Sequence, residues 1–177
     1  MKRTRLMAVA IAALLILGAT TVWAADNILG IWKIIDDETN KPTAYVLLYM
    51  YNGKLYGRMI ATIDKDTGLI DDTLATKTKK ATDLAGEPPN CGLDFVYEMQ
   101  AKGNDWVGTI IDPKGGKVYD CTIKREGNKL VVRGSLRGSF GLLGRNQTWL
   151  LASSSELPMD FVVPNPATFV PVIPRKK

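Results

Sequence analysis

The 177-residue chain contains no histidine and only two cysteines. Without imidazole there is no Ser-His or Cys-His nucleophile pair, no histidine-ligated zinc or haem, and no histidine pH switch. No C-x-x-C spacing joins the cysteines as a redox pair. No Gly-Lys-Ser/Thr accompanies Gly138, Gly141 and Gly144, so a phosphate cradle is set aside for a hairpin connection. Carboxylate, lysine, tyrosine or lone-nucleophile chemistry is what an enzyme would have left, and no spacing announces a carboxylate pair. The expectation is a protein that is not an enzyme, with no cofactor and no metal.

What is present is ordinary globular composition, 46% hydrophobic and 23% charged, in a one-domain length. Lys2, Arg3 and Arg5 precede an apolar run from Leu6 to about Ala19, and Val22-Trp23-Ala24 places small residues where a signal peptidase reads. Residues 1–24 therefore read as a signal peptide cleaved near Ala24, which predicts a periplasmic or otherwise exported protein. The run is shorter than the roughly 17–25 residues of a membrane-spanning helix, so a retained anchor is the lesser alternative. Loss of that segment leaves 20 basic against 18 acidic groups. Three of the twenty are the terminal Arg175, Lys176 and Lys177. No concentrated basic face survives, which excludes nucleic acid as the expected partner.

Along the remaining chain the period is two. Leu29 to Asp36, Thr43 to Tyr51, Gly53 to Ile63, Leu93 to Gln100, Asp105 to Asp112, Lys117 to Arg125, Lys129 to Ser135 and Arg145 to Ala152 read as eight strands separated by turn residues. In the third, Leu55, Gly57, Met59, Ala61 and Ile63 alternate with Lys54, Tyr56, Arg58, Ile60 and Thr62. Short antiparallel strands in this number predict an all-β fold, a small up-and-down β-barrel over 25–152, with a two-sheet sandwich as the competitor. Asp71 to Ala85 has the only helical potential, and its threonines favour a long loop or lid. Asp64-Lys65-Asp66-Thr67-Gly68 lacks the third ligand and closing Glu of a calcium loop and reads as a polar turn. Cys91 and Cys121, an even count in an exported chain, predict a disulfide, with two buried free thiols as the alternative.

Two segments have more apolar surface than a barrel wall needs. In the second strand Tyr45, Leu47, Tyr49 and Tyr51 alternate with Val46, Leu48 and Met50, so the outer face must be covered by the tail, by the polar loop, or by a partner or lipid. Residues 153–177 form a tail with five of the nine prolines, yet it holds Leu157, Met159, Phe161, Val162, Val163, Phe169, Val170, Val172 and Ile173. Such a tail lies on the barrel or meets an envelope protein or membrane surface. If the barrel is hollow, Tyr45, Tyr49, Tyr56, Arg58, Arg133 and Gln147 are the polar candidates to orient a small apolar or amphipathic ligand.

Gly30-Ile31-Trp32, Gly53-Lys54-Leu55-Tyr56-Gly57-Arg58, Cys91-Gly92-Leu93, Trp106-Val107-Gly108 with Ile111-Asp112-Pro113, Leu130-Val131-Val132-Arg133-Gly134 and Gly144-Arg145-Asn146-Gln147-Thr148-Trp149 occur in order. Together they resemble the bacterial domain of unknown function 2147 family over roughly residues 28 to 150. The resemblance implies an exported small barrel without an established activity. The opening Gly-x-Trp is also similar to the first-strand signature of lipocalins and other calycins, in which the Trp closes one barrel end beneath an Arg. That likeness implies structural roles for Trp32 and Trp149, with Arg145, or else Arg133, stacked on Trp32.

Overall fold

All eight strands read from the sequence form, and β-turns with left-handed backbone reverse the chain at Asn52-Gly53, Gly103 and Gly127. The computed structural model describes residues 27–139, 141–159 and 161–177. The expected signal peptide, 1–24, lies outside the described residues. The strands are β1 (Gly30–Ile35), β2 (Pro42–Tyr51), β3 (Lys54–Ile63), β4 (Ile70–Thr73), β5 (Asp94–Lys102), β6 (Asp105–Ile111), β7 (Val118–Glu126), β8 (Lys129–Ser135) and β9 (Gly144–Leu151). Each pairs antiparallel with its neighbours, and β1 pairs with both β2 and β9. The result is a closed eight-stranded up-and-down barrel, β1-β2-β3-β5-β6-β7-β8-β9, without an open edge. The additional short strand, β4, lies within what the sequence suggested was loop or lid, and pairs with the end of β3.

Inward-facing residues fill one end of the barrel. Ile28, Trp32, Leu55, Met99, Ile123 and Leu130 are all at most 1% exposed. The indole Nε1 of Trp32 donates to the Ile28 carbonyl at 2.8 Å, so its buried polar atom is satisfied. Toward the opposite end the β1–β2, β3–β4, β6–β7 and β8–β9 connections surround an opening.

The alternation expected for β3 holds only to Met59. A bulge between Tyr45 and Val46 sets Tyr45 opposite Ala61 and Val46 opposite Met59. One extra residue reverses the side to which the following residues point, so Ala61 and Ile63 join an outer cluster with Tyr45, Leu47 and Ile60. The tail covers that cluster: Leu157, Phe161 and Phe169 pack against it. The doubly apolar β2 is thus buried on both faces.

The expected Cys91–Cys121 disulfide is absent; both cysteines are buried free thiols. Cys121 points inward from the middle of β7 between Gly108 on β6 and Gly134 on β8. Cys91 precedes β5 and faces Asp72 at the end of β4, where burial and the Asp72 carboxylate push its pKa up to about 12. Both thiols belong to the barrel's one inner core cluster, but they come from segments that do not pair, with β5 and β6 between β7 and the β3–β4 pair in the sheet.

Candidate functional site

The open end of the barrel leads into a cavity of about 1000 Å³. Its inner wall is apolar, with Ile34, Met59, Phe95, Ile111 and Val132, and Trp149 packs beneath Phe95 at 5.9 Å between ring centroids. Gln147 brings an amide to this wall. Its Oε1 accepts from the Trp149 Nε1 at 2.9 Å, which orients the amide and leaves the NH₂ as donor. Thr62 and Tyr119 also line the cavity.

Three turns of one design build the mouth. Asp36, Asp64 and Asp112 each end the strand pairing, and each carbonyl accepts the amide four residues on, from Asn40, Gly68 and Gly116 at 2.8, 2.8 and 2.9 Å. Those three residues have left-handed backbone, at φ 56°, 73° and 61°. The carboxylate of Asp36 accepts from the Thr39 amide and hydroxyl, both at 2.8 Å, and Asp64 holds Thr67 in the same way. These hydrogen bonds, the Thr39 and Thr67 amides first, hold both carboxyls below the ordinary aspartate value. The Asp64-Lys65-Asp66-Thr67-Gly68 segment is therefore a turn whose leading carboxylate is engaged by its own backbone.

The six polar candidates divide sharply. Gln147 lines the cavity. Tyr45, Tyr49, Tyr56 and Arg58 do not line it, because their positions in β2 and β3 alternate with the inward Val46, Leu48, Leu55 and Met59. They lie on the outer wall, where Tyr49 and Arg58 are covered by the tail. Arg133 is also outside; its guanidinium donates to the Gly141 carbonyl at 2.7 Å and to Asn146 Oδ1 at 2.9 Å. Arg133 and Arg145 both differ from the expected Trp32 stacking. The arginine over Trp32 is Arg125 of β7, 5.8 Å from the ring centroid, whereas Arg145 sits at the mouth with its Nε 3.0 Å from Asp37. Arg125 continues the inward parity of Cys121 and Ile123, and that alternation is the signal that would have found it. Missed on the cavity side were Phe95, Thr62 and Tyr119, which have no polar motif to mark them.

The polar segment 74–92 supplies one side of the mouth through Lys79 and Asn90. Asp72, 1% exposed, anchors its start. Burial opposes its ionisation, but hydrogen bonds from Thr76, Thr78 and the Lys79 amide outweigh that and lower its pKa to about 2.

Residues 30–150 match a family described as an uncharacterized protein conserved in bacteria, DUF2147. A comparison with curated proteins finds no match. Among solved structures the chain is similar to protein HP1028 from the human pathogen Helicobacter pylori, described as belonging to the lipocalin family. The two are 21% identical with a TM-score of 0.58, and the match covers 72% of this chain and 84% of that one. A likeness at that identity shows a shared fold, in agreement with the closed eight-stranded ring and its Trp-filled end. On the extent of the family match, the chain belongs to the bacterial domain of unknown function 2147 family, with a lipocalin-like barrel.

Proposed function

We propose that this protein is exported and that its barrel binds a small apolar or amphipathic molecule without chemical conversion. The observation that carries the reading is the cavity of about 1000 Å³, closed at the Trp32 end and open at the other, with an apolar wall and the Gln147 amide within it. A cavity of that size suits a ligand whose apolar body enters the barrel and whose polar end stays at the mouth. The test is binding of N-phenyl-1-naphthylamine, an apolar dye whose fluorescence rises on leaving water. Gly134→Leu is the matched variant, since Gly134 lines the cavity, a β-carbon there meets nothing closer than 3.7 Å, and the added side chain projects into the space a ligand would occupy. Saturable binding to the native chain, weakened at least about tenfold by Gly134→Leu, supports the reading; equal binding by both overturns it. A mature mass beginning at Ala25 in periplasmic protein tests export.

A second reading is contact with an envelope protein or membrane surface through the tail. What favours it is that Met159, Val162, Val163, Val170 and Val172 are at least half exposed after the tail has docked. The second strand itself is covered and contributes to that reading only through the tail.

A further inference from the structure

Residues 79–90 fold back on themselves as a flap beside the mouth. Asn90 N–H donates to the Lys79 carbonyl at 2.8 Å, Ala81 N–H to the Pro88 carbonyl at 2.9 Å, and Lys80 bridges Pro89. Its base lies between two buried carboxylates, Asp72 before it and Asp94 after it. Its tip reaches across to the β6–β7 turn, so closely that a β-carbon on Gly116 would lie 2.6 Å from the Asp83 carbonyl oxygen. Leu84, fully buried, and Ala81 are the flap's apolar contacts with the core.

The last residues of the chain hold this tip. Ala85 N–H donates to the Arg175 carbonyl at 2.9 Å, Leu84 forms a β-bridge with Lys176, and Lys177 Nζ lies 3.1 Å from Glu87. Just upstream the tail is fixed to the outer wall. Phe169 stacks under the Arg58 guanidinium at 4.0 Å and meets the Tyr49 ring edge-on at 5.0 Å. Arg58 Nη2 donates to the Val170 carbonyl at 2.7 Å. Val172 both donates to the Asp94 carboxylate, at 2.6 Å, and accepts from the Asp94 amide, at 3.0 Å. One strip of tail therefore grips the first residue of β5, at the flap's base, and the flap's tip.

We propose that the C-terminal tail is the catch of a flap that controls passage into the barrel cavity. The inference rests on the cavity reading above. Lys79 and Asn90 line the cavity, so moving the flap outward widens the mouth, and the tail contacts must break for the tip to move. A catch that only controls passage alters association and dissociation rates by the same factor and leaves affinity unchanged.

The test uses Ala85→Cys with Arg175→Cys. Both positions are exposed and pair across the Leu84–Lys176 bridge, within the separation a disulfide spans. Stopped-flow exchange of N-phenyl-1-naphthylamine is measured in the oxidised and reduced forms of the same full-length chain. The expected result is rates at least about tenfold slower when oxidised, in both directions, restored by reductant, with Kd within about twofold. Phe169→Ala, which frees the tail from Arg58 and Tyr49, is expected to speed exchange beyond the native rate. Saturable binding with equal rates in the two redox forms overturns the catch while leaving the cavity reading intact. Absence of dye binding in every form overturns the cavity reading and the catch with it.

Discussion

Arg58 and Asp94 meet at two points on the outside of the barrel, Nη2 to Oδ2 at 2.6 Å and Nε to Oδ1 at 3.2 Å. Residues 169–172 of the tail cover them, so Asp94 is fully buried and Arg58 is 7% exposed. Tyr49 donates its hydroxyl to Asp94 at 2.8 Å, and burial followed by that carboxylate raises the phenol's pKa. The cluster meets its own hydrogen-bonding needs, which is the condition under which charge is tolerated away from water.

Removing one member leaves the other charge buried and unpaired. Arg58→Met and Asp94→Asn are each expected to cost about 3–5 kcal/mol in urea unfolding. The double variant Arg58→Met with Asp94→Asn should cost less than the sum of the singles. Strict additivity in that double-mutant cycle would show that the two side chains do not act as a pair.

Asp72 ties stability to acid pH. Its folded pKa, about 2, lies below the ordinary value of 3.8, so the unfolded chain takes up the proton first as pH falls. The contribution is complete above about pH 4 and is lost through pH 2, at about 2 kcal/mol in all. The stability gap between native protein and Asp72→Asn should therefore shrink as pH is lowered from 5 to 2. A gap that stays constant over that range would remove Asp72 from the acid response.

The thiols should be silent in the native state. Burial raises the pKa of Cys121, and Cys91 is pushed up to about 12, so neither supplies thiolate at pH 8. Iodoacetamide is expected to leave the folded protein unmodified and to add two groups after denaturation, with intact mass unchanged by reductant. A gain of two daltons on reduction would restore the disulfide expected from the sequence.

Gly108 admits the bulge in β5. A β-carbon there would lie 2.8 Å from the Met99 Cα and 3.0 Å from the Glu98 carbonyl oxygen, and the backbone must move to relieve it. Glu98 itself holds left-handed backbone, at φ 55°. Gly108→Ala is expected to lower stability by about 1–3 kcal/mol. The N-phenyl-1-naphthylamine affinity of the folded fraction should not change, because Gly108 is outside the cavity wall.

Strand positions were legible because alternation survives in a single sequence, and in β7 it extends through Tyr119, Cys121, Ile123 and Arg125. β4 was not, since four residues between polar turns give too short a pattern to read. Facing along β3 depended on a bulge, which shows no fixed residue type, and Ala61 and Ile63 changed their expected side with it, whereas β2 is apolar on both faces and its alternation alone could not say which face is inward. Arg58 read as a cavity residue because nothing local marks its partner, which is 36 positions away. Gln147 does line the cavity, since it alternates with Trp149 in a strand whose neighbours fix its direction.

The three acid-headed turns divide their residues between two tasks. Asp36, Asp64 and Asp112, with the left-handed residue at each turn's end, make the geometry, and the positions between them add charge to the mouth beside Lys79 and Arg145: Asp37 and Glu38, Lys65 and Asp66, Lys114. Exchanging an intervening residue re-letters the rim while the frame that holds it stays constant. The charge of the rim can therefore change one side chain at a time without renegotiating the fold beneath it.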